Sequence, residues 1–172
     1  MEVSYGAAVA WLPDDFEHPT RVDLPTGQHL RPMGAADIEI DFPAVMGSRE
    51  RLWSIYGEAW GWPPAHMTEE QDRDDLAHHE RETAAHESFL YGLFDDDEVE
   101  LLGCVYVDPP TKTGDVGAEV SWWVVDRLVG SDLERALDEF VPRWLAGWPM
   151  ARPRYVGRDL SWAEWNALPA RG

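Results

Sequence analysis

At 172 residues the chain is expected to form one domain, or one with a small appendage, and its 44% hydrophobic and 12% aromatic residues can fill a core. With 33 acidic against 14 basic residues, the formal net charge is −19; such a field repels nucleic acid and anionic lipid and favours a small cation, although acidity at this level serves solubility first. The single cysteine, Cys104, excludes an internal disulfide and a thiol metal cluster. No apolar run is long enough to span a membrane, and residues 1–19 lack the basic start of a secretory leader, so a cytoplasmic location is expected.

Residues 1–28 read as an irregular extension punctuated by Pro13, Pro19, Pro25 and Gly27. Its aromatics Tyr5, Trp11 and Phe16 imply that it packs on a body spanning 29–172. Residues 29–33 (HLRPM) read as a first strand. A helical stretch starts near Asp37, interrupted by Pro43 and Gly47, and 57–65 (GEAWGWPPA) reads as a loop. The second helix covers 68–86, opened by a Thr68–Gln71 capping box with Glu69, Glu70 and Asp72 at the positive end of its dipole. Residues 88–94 and 100–107 read as a hairpin around an acidic turn, and 109–117 as a loop.

The stretch 117–150 is the most informative. Residues 118–125 (AEVSWWVV) are β-branched and aromatic, without a breaker. After a short turn, Ser131 and Glu134 form a second capping box. Leu133, Leu137, Phe140, Val141, Trp144 and Leu145 then recur at helical spacing, with Pro142 as a possible kink. A strand, a tight turn and an amphipathic helix place backbone N–H groups where an anion or carbonyl can be held. A strand at 154–156 and a short helix at 161–168 follow. The resulting order predicts an α+β, or mixed α/β, fold.

The element order, LRPM in the first strand, LLGCVYV in the hairpin and AEVSWWV before the capped helix resemble the GCN5-related N-acetyltransferase (GNAT) superfamily over roughly 30–161. The resemblance implies a central, mostly antiparallel sheet flanked by helices. It implies a fourth strand that splays from the fifth, with acetyl-CoA in the gap. Main-chain groups of Trp123, Val124 and Val125 would hold the pantetheine. Arg127, Gly130 and Ser131 fall on the pyrophosphate motif Gln/Arg-x-x-Gly-x-Gly/Ala, where Arg127 is either a phosphate ligand or a surface ion pair. Asp132 departs from that motif. A carboxylate there would repel the phosphate, and helix capping explains it fully. The family's two last strands are expected to be missing. Either residues 1–28 replace them, or the acceptor side is incomplete, or a second subunit completes it; a homodimer is the expectation, since exposed sheet edges are covered.

For chemistry, the resemblance puts Glu119 forward as general base or amine anchor, against an ordinary ion-paired strand residue. It puts Tyr155 forward as acid near the leaving thiolate, against a packing tyrosine. His79, Glu82 and His86 share a helix face that reads as solvated, and no metal site is expected. Cys104 reads as core. Trp60, Trp62, Trp122, Trp123, Trp144 and Trp148 exceed the need of a small core and point to an acceptor pocket or an interface. Two functions follow: an acetyl-CoA-dependent N-acyltransferase acting on a small cationic amine, or a non-catalytic GNAT-fold binding or assembly module that has lost the cofactor.

Overall fold

The computed structural model describes residues 11–172, so the expectation for Tyr5 lies outside the described residues. Six strands form one sheet in chain order: β1 (Val22–Asp23), β2 (His29–Pro32), β3 (Phe89–Phe94), β4 (Gly103–Asp108), β5 (Ala118–Val124) and β6 (Pro153–Tyr155). Every pairing is antiparallel except that of β5 with β6, which is parallel. The helices are α1 (Ile38–Gly47), α2 (Arg49–Trp60), α3 (Glu69–Ala84), α4 (Asp132–Leu145) and α5 (Trp162–Ala167). The architecture is the expected mostly antiparallel α+β sheet with helices on both faces. Among the described residues no strand follows α5; only an isolated bridge joins Ala170 to Lys112.

Both faces of β3, β4 and β5 are covered, which is why they read as continuous apolar runs. Alternate residues serve two cores. Val120, Trp122 and Val124 pack with Leu137, Val141 and Leu145 of α4. Cys104, Tyr106 and Trp123 pack with Leu52 and Tyr56 of α2 and Leu76 of α3.

The caps form as read, with one change. Thr68 Oγ1 accepts from Gln71 N at 3.1 Å, and Gln71 Oε1 accepts from Thr68 N at 2.9 Å. At α4, Ser131 Oγ accepts from Glu134 N at 3.2 Å, but Glu134 Oε1 accepts from Gly130 N at 3.0 Å rather than from Ser131.

Two readings are corrected. The predicted loop 57–65 is helical as far as Trp60, where Gly61 ends α2 in the left-handed region at φ 63°. Within the extension read as irregular, β1 pairs with β2 across a turn closed by Leu24 N donating to Gln28 O at 2.8 Å. Two residues flanked by prolines carry no readable alternation.

A charged pin holds the end of β2. Arg31 donates to both oxygens of Asp37, at 2.9 and 3.1 Å, and through Nε to Glu98 at 2.7 Å. His29 Nε2 meets the same Glu98 oxygen at 2.8 Å. Burial alone would raise the Glu98 carboxyl, but the hydrogen bonds from Arg31 and His29 outweigh it and hold it low. Glu98 therefore contributes stability that is present above its unfolded pKa of about 4.3 and is lost as pH falls below that value. Arg31→Met is expected to lower unfolding free energy by about 1–3 kcal/mol in urea titrations at pH 7. The deficit should shrink at pH 3; an equal loss at both pH values would contradict the pin.

Candidate active site

The site begins where β5 and β6 part. They pair at Ala118–Pro153, Glu119–Arg154 and Val120–Tyr155, and Val156 N donates to Val120 O at 2.8 Å. The chain then turns away. Asp159 Oδ1 accepts from Tyr155 N at 2.7 Å, and Gly157 takes φ 88°. Beyond this point the β6-side carbonyls of β5 have no strand partner. Two arginines cover them. Arg158 Nη1 donates to Trp122 O at 3.3 Å and Nη2 to Asp138 at 3.2 Å, while its guanidinium lies 3.8 Å from the centre of the Trp122 ring. Arg51 donates to Val124 O and, through Nε, to Asp126 at 2.7 Å.

Strand parity decides which main-chain groups face this opening. Val125 N donates to Leu102 O, so Val125 and Trp123 turn their peptide groups toward the β4 side. Of the three expected contacts, only Val124 faces the opening, and Trp122 joins it. The sequence pattern had no means of distinguishing these neighbours.

The loop before α4 leads into the N-terminus of that helix. Gly130 has φ 77° and open space where a Cβ would stand. The first amides of α4, Asp132 and Leu133, have no partner within the helix. Arg127 is ion-paired with Glu100, both well exposed. Asp132 points to solvent. Its side chain is 96% exposed and pairs with Arg135, whose Nη1 also donates to Gly130 O at 2.9 Å. Glu134 and Glu100 compete for the loop's donors, but exposed pairs of this kind are weak. A pyrophosphate at this loop would meet Arg127, Arg135 and the amides of Asp132 and Leu133, in competition with Glu100, Asp132 and Glu134.

Glu119 and Tyr155 are not brought together. Glu119 is buried and clamps the loop before β5. It accepts from Thr111 N at 2.9 Å and Lys112 N at 3.2 Å, and both its oxygens lie within 3.0 Å of Thr111 Oγ1. It shares a sheet face with Ser121 and Trp123. Tyr155 is in register with Val120 on the opposite face, its ring 6.0 Å from that of Trp122. Burial raises its hydroxyl pKa.

On the Glu119 face lies a cavity of about 370 Å³. Its walls are Trp60, Trp62 and Tyr106, and its ionisable groups are His79 and the carboxyls of Asp41, Asp72, Asp75, Glu82 and Asp108. Among the described residues no arginine or lysine lines it. Thus His79 and Glu82, read as a solvated helix face, look inward, whereas His86 lies beyond the end of α3 beside His18. Burial, reinforced by the adjoining Asp72, drives the Asp41 carboxyl well above the carboxylate range; burial raises Asp72 as well. Asp108 is pushed up to about 7 by burial, against the hydrogen bond from Ser88 Oγ at 2.6 Å and with help from the charges of Glu119 and Glu82. A small void at the parting of β5 and β6 also touches Asp108, together with Trp60, Ser121 and Trp162.

Sequence reasoning missed Asp41, Asp72 and Asp108. The available signals were an aspartate inside the apolar run IEIDFP and another closing the apolar strand GCVYVD.

By sequence, no protein-family model and no curated protein matches the chain. By structure, it is similar to the ribosomal-protein-S5-alanine acetyltransferase from Vibrio fischeri, with 15% identity over 74% of this chain and 68% of that one and a TM-score of 0.54. It is also similar to an acetyl transferase from Salmonella typhimurium that modifies the N-terminal serine of ribosomal protein L7/L12, with 12% identity, 73% and 67% coverage and a TM-score of 0.58. A third similar structure is the L7/L12 α-N-protein acetyltransferase RimL in complex with coenzyme A, with 15% identity, 72% and 68% coverage and a TM-score of 0.55. The chain spans about two thirds of the length of each. At these identities the likeness is one of fold: the chain has the fold of the GCN5-related N-acetyltransferases.

The raised Asp108 pKa has a stability consequence. A carboxyl that titrates near 7 when folded and near about 3.9 when unfolded loses folded-state stability as pH rises through that window. Asp108→Asn keeps an acceptor for Ser88 and removes the charge. It is expected to melt higher than the native chain at pH 8 and level with it at pH 4; a lower melting temperature at pH 8 would contradict the assignment.

Proposed function

We propose that the protein is an acetyl-CoA-dependent N-acyltransferase whose acceptor is a small cationic amine held in the acid–aromatic cavity. One observation carries the reading: Asp108 belongs both to the cavity wall and to the void where β5 and β6 part. Those are the two places from which amine and thioester would approach. The fold supports the donor, and the loop at Gly130 would meet its pyrophosphate.

The acyl thioester would supply an electrophilic carbonyl and a thiolate leaving group. The carboxyls draw in an ammonium ion and, with Trp60, Trp62 and Tyr106, orient it. Asp108, titrating near 7, takes the ammonium proton. The freed nitrogen bonds to the acyl carbon and gives up its second proton, the carbon–sulfur bond breaks, and the departing thiolate takes up a proton through solvent while Asp108 returns its own to water. Glu119 acts in this reading by holding the loop at Thr111, and Tyr155 by packing on Trp122. A peptide N-terminus, as named for the similar structures, is the other ammonium ion the cavity would accept. A cytoplasmic homodimer belongs to the same proposal. No helix among the described residues is long and apolar enough to cross a membrane.

The non-catalytic reading rests on specific contacts. Arg158 and Arg51 occupy the carbonyls of Trp122 and Val124, and Glu134 and Glu100 occupy donors of the loop. Calorimetry with acetyl-CoA separates the two. Binding by the native chain is expected, and binding gained only in Arg158→Ala would favour the module. With an amine acceptor and thiol release as readout, Asp108→Asn is expected to lower kcat by about 10²–10⁴. The native rate should rise with pH through about 7. Tyr155→Phe should stay within about threefold; a loss as large as that of Asp108→Asn would return the proton-transfer role to Tyr155.

A further inference from the structure

The cavity has two acidic ends. Cys104, Tyr106 and Asp108 lie on one face of β4 and line it in sequence. At about 3.3–3.4 Å per residue, Cys104 and Asp108 stand about 13 Å apart. Asp41 and Asp72 belong to the Cys104 end, where their charges act on the buried thiol. The charges acting on Asp108 are a different set, Glu119 and Glu82. Tyr106 lies between the ends, with Trp60 and Trp62 as walls.

The Cys104 end is incomplete as it stands. Asp72 is only 1% exposed, and its Oδ2 reaches no hydrogen-bond partner among the described residues. Asp41, 4% exposed, adds a second carboxyl beside it. Asp41 and Asp72 hydrogen-bond to each other, which one shared proton permits, and among the described residues no arginine or lysine lines the cavity to meet the charge that remains. His79 is the one basic side chain in the lining, and it is shared between Asp75 at 3.7 Å and Glu82 at 3.4 Å.

We infer that the acceptor is a linear aliphatic diamine or longer polyamine bound end to end, with one ammonium on the Asp41–Asp72 pair and the reacting nitrogen at Asp108. The inference rests on the transferase reading for its second half only. Methylene groups suit the aromatic stretch between the ends, and a single ammonium ion would leave one acidic end unmet. Acylation converts the nitrogen at Asp108 into a neutral amide while the far ammonium stays charged, so one acyl group enters per binding event.

The test is calorimetry on the full chain at pH 7.5 without acetyl-CoA, with octylamine, diaminobutane and diaminooctane as probes. Diaminooctane is expected to bind at least tenfold more tightly than octylamine and more tightly than diaminobutane, which cannot reach both ends. Asp72→Asn should reduce diaminooctane affinity about tenfold, toward that of octylamine. Equal affinities for octylamine and diaminooctane, or no binding of either, would overturn the inference; because this comparison uses the native chain, it stands whether or not the variant folds. Diamine binding without acetyl transfer would leave the site standing and refute the transferase. Transfer to octylamine as readily as to diaminooctane would keep the transferase and refute the two-ended site.

Discussion

The structure depends on the brevity of β6. Three residues pair with β5, and then the Asp159 carboxylate on Tyr155 N and the left-handed Gly157 turn the chain out of the sheet. A longer β6 would zip to β5 and close the sheet. Because it stops, Trp122 and Val124 present carbonyls to a gap, and α5 brings Trp162 to its apex. Bare carbonyls in such a place would be unsatisfied, and the guanidinium groups of Arg158 and Arg51 answer them. The same groups are what a bound carrier would have to displace. Both arginines have carboxylate partners outside the sheet, Asp138 and Asp126, on which they can remain while releasing the strand.

The second constraint is charge. Most of the acidic excess is exposed and serves solubility, but a minority of the carboxyls are folded inward around one cavity. Such groups oppose folding when ionised, and Asp41, Asp72 and Asp108 all have raised pKa values for that reason. A cationic ligand of the proposed kind would supply the counter-ion that these carboxyls lack.

Placement also separates Glu119 from the residue to which the proposed chemistry falls. The resemblance in AEVSWWV put Glu119 forward, yet its oxygens are saturated by Thr111 and Lys112. Its cross-strand neighbour Asp108 keeps only the Ser88 hydrogen bond and borders both the cavity and the void. Glu119 fixes the loop and adds through its charge to the burial that raises the Asp108 pKa, so in the proposed chemistry it would act from one strand away.

Local patterns in the sequence determined the helix caps at Thr68 and Ser131, the apolar strands β3 to β5, the α4 face and the element order that led to the fold. These are interactions between residues a few positions apart, and periodicity records them directly. The sequence did not determine which β5 carbonyls face the gap, since that depends on the register with β4. Nor did it show that Asp132 points to solvent, or that His79 and Glu82 point inward. The cavity joins residues from α1, α2, α3, β3 and β4 that lie far apart in the chain. Only tertiary packing sets their burial, and burial decides which of 33 acidic residues become unusual.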